Sequence, residues 1–282
     1  MTPVSSRRVY EVWTQLIQDE ELYEAMLAGT HGGLAGSGLD AEAIEILDQF
    51  RAEPGTRWNV ENVRFRATLF VGDLLLLYMP RTVRLLTRGD DQWRNDLCFE
   101  YLAHHRWRPM GHMQLMECER FATFIHTRIL KRRVAPPHLE AAMAYELAVI
   151  RLLRSTAQIA AEAWPVRRDV GDAELPALRP RRSPAQVVVE LDVDLRPWIE
   201  SGDPARGEVG PGPITLLVHM PSLDERYLIK TISDGVHILL ERCDGERTVA
   251  SLARELEDEY ELPAADVHQL VRKLLDERIL CV

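Results

Sequence analysis

The apolar positions change period twice along this chain. In the first half they recur three and four residues apart, the spacing of one helix face. Val9, Val12, Trp13, Leu16 and Ile17 open the pattern, which continues through Leu22 and Met26. The stretch "GTHGGLAGSGLD" interrupts it and reads as a connector. Asp40 stands where a side-chain oxygen would cap the next helix, in which Ile44, Leu47 and Phe50 share a face. The same spacing predicts helices from about Asn59 to Tyr78, Asp91 to His104, Gln114 to Leu130 and His138 to Ala163. Pro80, Pro109 and the pair Pro136 and Pro137 fall between them. Proline has no amide hydrogen to give, so helices should stop there.

After Trp164 the periodicity disappears. "PVRRDVGDAELPALRPRRSPAQ" is rich in proline and charge, as a linker or an extended crossing segment would be. Beyond it the period becomes that of strands, in "VVVELDV" (187–193), "ITLLVHM" (214–220) and "RYLIKTI" (226–232). Three short helices follow. The first starts near Ser233 and puts Ile232, Val236, Leu239, Leu240 and Cys243 on one side. The second is capped by Thr248, with Val249, Leu252 and Leu256 inward. The third starts near Pro263 and carries Val267, Leu270, Val271, Leu274 and Leu275. "ILCV" closes the chain as a last short strand. The expected class is α+β: an all-helical N-terminal domain over 1–164, a linker over 165–185, and a small winged-helix-like domain of sheet plus three helices over 186–282.

Composition narrows the function. With 34 Lys and Arg against 44 Asp and Glu, the net charge of -10 disfavours a protein whose main work is gripping phosphate backbones. The four cysteines form no C-x-x-C pair, which fits a reducing compartment. The N-terminus lacks the apolar core of a signal peptide, and apolar runs such as Leu74 to Met79 are too short to cross a bilayer. A cytoplasmic protein without a membrane segment is expected. Catalytic signals are missing too. His104, His105 and His112 gather near Glu100, Glu117 and Glu119, but no Glu-x-x-His pair occurs, and a polar helix end facing a partner explains the cluster better than a metal does. The glycine-rich stretch lacks the lysine of a phosphate loop, and no G-x-S-x-G is present. No catalytic residue, metal or cofactor is assigned to this chain.

Three readings compete for the C-terminal module: a plain packing unit, a DNA-binding winged helix, and a peptide-binding module. The third helix offers His268, Gln269, Arg272 and Lys273 outward, yet residues 214–282 hold 8 Lys and Arg against 14 Asp and Glu. Phosphate contacts dominate DNA affinity, which weakens the second reading. The stretch "ISDGVHILLERCDGERTVASLARELEDEYELPAADVHQLVRKLLDERIL" resembles the PqqD-like leader-recognition element of ribosomally made, post-translationally modified peptides. The resemblance rests on a helix ending in "CDGERTV", then "LARELEDEY", then a final amphipathic helix with a hydrophobic tail, and it covers about the last quarter of the chain. It implies that an extended leader adds as a strand to an edge of the small sheet, beside the third helix. The implied contacts are Arg226, Tyr227, Leu228, Ile229, Lys230 and Thr231 on the edge, and Val267, Leu270, Val271 and Leu274 on the helix. Some of those helix residues must face the core instead. Arg226, Lys230, Arg272 and Lys273 are candidates for acidic leader side chains.

The preceding helices are similar to the helical part of partner proteins of multinuclear non-haem iron-dependent oxidases. The resemblance is carried by Phe121 and Phe124, a proline-led loop, and "AYELAVIRL" with Tyr145 and Glu146. It implies a non-catalytic subunit in a heterodimer with such an oxidase, the iron lying in that enzyme, with no nucleic acid or membrane bound. The alternative is a winged-helix transcription regulator with a helical sensor domain.

Overall fold

The computed structural model describes residues 5–33, 38–105, 114–128, 135–159, 164, 170–203 and 208–282. Two compact units divide the chain, residues 1–134 and 135–282. In the first, α1 (Ser6–Gln18) begins at Ser5, whose Oγ accepts from Arg8 N at 3.1 Å. Its apolar face does not run unbroken through Leu22. Asp19 ends α1 and caps α2 (Glu20–Ala28) by accepting from Leu22 N at 3.0 Å. Gly29, at φ 74°, terminates α2 in the left-handed region. Asp40 caps α3 (Ala41–Ala52), accepting from Ala43 N at 2.8 Å. Val12, Leu16, Met26, Ile46, Leu47 and Val60 form the core these helices share.

The long α4 (Thr56–Tyr78) stops where expected, but Pro80 does more than stop it. It opens a further helix, α5 (Pro80–Thr87), which the apolar spacing did not predict. Proline suits the first turn because the missing amide hydrogen would be unpaired there anyway. Next come α6 (Asp91–His104), capped by Asp90, and α7 (Gln114–Arg128). Ile129, Leu130, Pro109 and His112 lie outside the described residues, as do 160–163, but the helix expected to reach Ala163 has already ended at Thr156, in a turn over 157–159. Tyr101 of α6 packs edge-on against Phe121 and Phe124 of α7, with ring centroids 5.4 and 5.5 Å away. Its hydroxyl donates to Glu117, and burial together with that carboxylate pushes the phenol pKa up. Tyr101→Phe would leave the buried Glu117 short of a donor. An isolated hydrogen-bond loss of this kind costs about 1–3 kcal/mol. Urea unfolding of this variant is expected to show that loss.

The second unit begins with α8 (Leu139–Thr156), which lies against β2 (Gln186–Leu191) and β3 (Ile214–His219). The sequence grouped this helix with those before it, whereas the fold groups it with the sheet. The reason is visible in β3. Strand side chains alternate between faces, and Leu217 joins the core of the C-terminal helices while its buried neighbours Leu216 and Val218 point the other way. Both faces therefore need cover, and α8 provides one.

The sheet has the order β2-β3-β4, all antiparallel, with β4 spanning Leu228–Ile232. Between β2 and β3 a short helix, α9 (Arg196–Glu200), buries Trp198. After β4 come α10 (Asp234–Arg242), α11 (Val249–Tyr260) and α12 (Ala264–Asp276). Ser233 and Thr248 cap the first two through side-chain oxygens. Leu239, Leu240, Leu252, Leu256, Val271 and Leu274 meet Leu217 and Ile232 in one core.

The described part of the segment expected as a linker is the crossing form. Its β1 (Arg181–Arg182) pairs antiparallel with β5 (Leu280–Cys281), and Leu175 enters the core. The turn after α10 receives this strap. Gly245, at φ 85°, donates to Pro180 O at 3.0 Å, and Asp244 accepts from Glu246 N at 2.8 Å. That backbone bond, then the Arg247 guanidinium, holds the Asp244 carboxyl down at about 2. A Cβ on Gly245 would sit 3.3 Å from Arg181 Cβ, so the strap crosses closely.

Candidate peptide-binding edge

The sheet ends on one side at β4. Its residues pair with β3 from Thr215↔Ile232 to His219↔Leu228. Among the described residues no backbone hydrogen bond reaches the other edge of β4. Open strand edges are templates for pairing with another chain, and proteins usually blunt them. Here the blunting is slight: the strand is short, and Lys230 is its single charge.

Alternation sorts the expected contacts. Ile232 belongs to the helix-side core, so Lys230 and Leu228 share its face, while Ile229 and Thr231 point to the other. Leu228 is 44% exposed. Lys230 reaches the end of α12, with Nζ 2.8 Å from Glu277 Oε1. Just before the strand, Glu225 accepts from Arg278 at 3.1 Å, so both flanks of the edge are tied to the same helix end. Tyr227 is half-buried and Arg226 exposed.

On α12 the expected residues divide. Val267, Val271 and Leu274 are buried and belong to the core of the unit. Their side chains are committed to holding the helix down. Leu270 is partly buried and lies at the margin of that core, the one member of the four with surface to offer. Of the basic candidates, Lys230 is paired with Glu277 and Arg272 with Asp172. Arg226 and Lys273 carry no ion pair among the described residues.

His219 was not singled out by sequence reasoning. It ends β3 and is 1% exposed. Neither ring nitrogen has a hydrogen-bond partner among the described residues, and burial pushes its pKa down to about 4. Its cross-strand neighbour Gln186 also has both amide atoms buried and unpartnered. His219 gave no separate signal because it falls within the apolar run expected as a strand, and Gln186 stands just before the run expected to start at Val187.

Elsewhere, His104 and His105 flank the Tyr101 and Phe124 rings, and Glu117 is bound by Tyr101. Among the described residues no three His, Cys, Asp or Glu side chains converge as metal ligands would. No described helix is long and apolar enough to cross a membrane.

No curated protein matches this chain. One family model does match, over residues 235–280, and it is described as Coenzyme PQQ synthesis protein D (PqqD). The match spans α10, α11, α12 and the start of β5, leaving β2 to β4 to be placed by the structure alone. The chain therefore ends in a PqqD-like domain, set beside a small sheet with an open edge.

Proposed function

We propose that this chain is a non-catalytic partner subunit in ribosomal-peptide biosynthesis. It binds the leader of a precursor peptide and presents it to a multinuclear non-haem iron-dependent oxidase, which carries the iron. The observation that carries the reading is the open edge of β4 beside the PqqD-like helices. An extended leader pairing there gains main-chain hydrogen bonds for grip and side-chain contacts at Leu228, Tyr227 and Leu270 for selectivity. Holding the leader makes the encounter of the remaining peptide with the active site intramolecular, which raises its effective concentration.

An uncovered apolar stripe on α4 supports the docking half of the reading. Trp58, Phe65, Leu69 and Leu76 recur at helical spacing on one face, and Trp58 is 65% exposed. Large aromatic and aliphatic side chains grouped on a surface mark interaction sites more often than chance. The double variant Phe65→Asp/Leu69→Asp is expected to lose the oxidase in co-purification. Surface changes of this kind cost little stability, so leader affinity, read by fluorescence polarisation, stays near its original value. An oxidase that still co-purifies would move docking to another face.

A further inference from the structure

The sheet has a second open edge, on β2, and its surroundings differ from those of β4. We propose that this edge is a separate polypeptide site, selective for an extended segment with acidic side chains. The proposal does not depend on the β4 reading. On one side β2 pairs with β3 over its full length, from Gln186↔His219 to Leu191↔Ile214. Among the described residues no backbone hydrogen bond reaches its other side. A groove of about 750 Å³ meets the first half of this strand, lined by Arg181, Arg182, Gln186, Val188, His237 and Asp244, while α8 also packs against β2.

Three features of the groove point to the same occupant. The first is the free strand edge, whose unpaired N–H and C=O groups are met in full only by another extended backbone. The second is the Gln186 amide. Both Nε2 and Oε1 are buried without a partner, although the residue lines the groove. An incoming peptide unit carries the matching acceptor and donor.

The third is charge. His237 faces Glu190 at 3.3 Å and Glu241 at 3.7 Å, so it is already engaged. The Asp244 carboxylate is engaged by Arg247 at 2.7 Å and by the Glu246 amide. Arg181 and Arg182 are exposed and carry no ion pair among the described residues. Guanidinium groups pair well with carboxylates, in a two-pronged geometry. Together these features call for a strand-forming segment with valine-like residues over Val188 and glutamate or aspartate near the two arginines. Nucleic acid fits poorly, because it has no backbone amides to pair with a strand edge.

The test uses the full chain and a fluorescein-labelled, N-terminally blocked peptide of three Glu-Val repeats, followed by fluorescence polarisation. Saturable binding is expected, and Arg181→Glu/Arg182→Glu should weaken it at least ~10-fold. The same peptide with every backbone nitrogen methylated should fail to bind, since it has no amide hydrogen to donate to the strand. Prolines at Ile229 or Lys230, which test the other edge, should leave this affinity unchanged wherever the fold is intact. Absence of saturable binding overturns the proposal. So does equal binding of a Lys-Val repeat, or full affinity in the double-arginine variant. Loss of binding in a folded β4 proline variant instead assigns the peptide to β4, and overturns the β2 site while leaving the leader reading in place.

Discussion

Of the variants Ile229→Pro and Lys230→Pro, one is expected to stay folded and lose the leader peptide, and the other to lose the strand. Consecutive residues of an edge strand direct their amide hydrogens to opposite sides, one toward β3 and one toward the open side. A proline on the β3 side removes a ladder hydrogen bond, which strands tolerate badly. A proline on the open side leaves the ladder with β3 intact and removes a donor the leader would use. The expected result is at least ~10-fold weaker leader binding, combining the lost hydrogen bond with the bulk of the ring. Fluorescence polarisation reads the affinity, and circular dichroism with a thermal melt identifies the folded variant. If that folded variant binds the leader like the parent chain, the peptide does not pair with β4.

His219→Leu is expected to raise stability at neutral pH and to flatten its loss in acid. The imidazole sits in the sheet without a hydrogen-bond partner among the described residues, and its pKa is depressed from 6.5 to about 4. Burial is the main cause. Lys230 lowers it further, while Glu277 and Glu225 oppose the shift. The unfolded chain takes up a proton as pH falls through 6.5, whereas the folded chain resists until about 4. Stability is therefore complete above the unfolded value and is lost between those two points. A gap of this size corresponds to about 3 kcal/mol, reached progressively at about 1.4 kcal/mol per pH unit. Relieving an unpaired buried polar group adds about 1–2 kcal/mol to the leucine variant at pH 7. Urea melts from pH 7 down to 4.5 should show the two proteins diverging as the pH falls. Parallel curves would mean that another group carries the acid sensitivity.

Local signals carried much of the fold. Asp40 and Thr248 cap the helices they were expected to cap, and Ser233, near which a helix was expected to begin, caps α10, because a side-chain oxygen and the amide it accepts lie within three residues of each other. Helix α6 runs from Asp91 to His104, as its spacing predicts. Strands β3 and β4 fall within the apolar runs assigned to them. The misses have local causes too. Asp19 divides a face that looked continuous, since an acid at a helix end serves equally as the cap of the next helix. Pro80 marks a boundary, and only the backbone beyond it shows that a new helix starts there.

The candidate site was half legible. The PqqD-like run pointed to the right helices, and the edge strand was placed within two residues of its observed start. Which face of α12 is exposed was not readable, since Val267, Leu270, Val271 and Leu274 are equally apolar. Packing against Leu217 and Ile232 took three of them into the core and left Leu270 at the margin.

By itself, then, the amino-acid order determined the periods, the caps and the breaks, all of which depend on neighbours within about one helical turn. Only the tertiary structure decided that α8 covers the sheet, that the described part of the proline-rich segment is a strap, and that among the described residues β2 and β4 each keep one edge open. Every residue but proline carries the same backbone donor and acceptor. Whether those groups find a partner depends on segments far away in the chain, and no side-chain pattern records it.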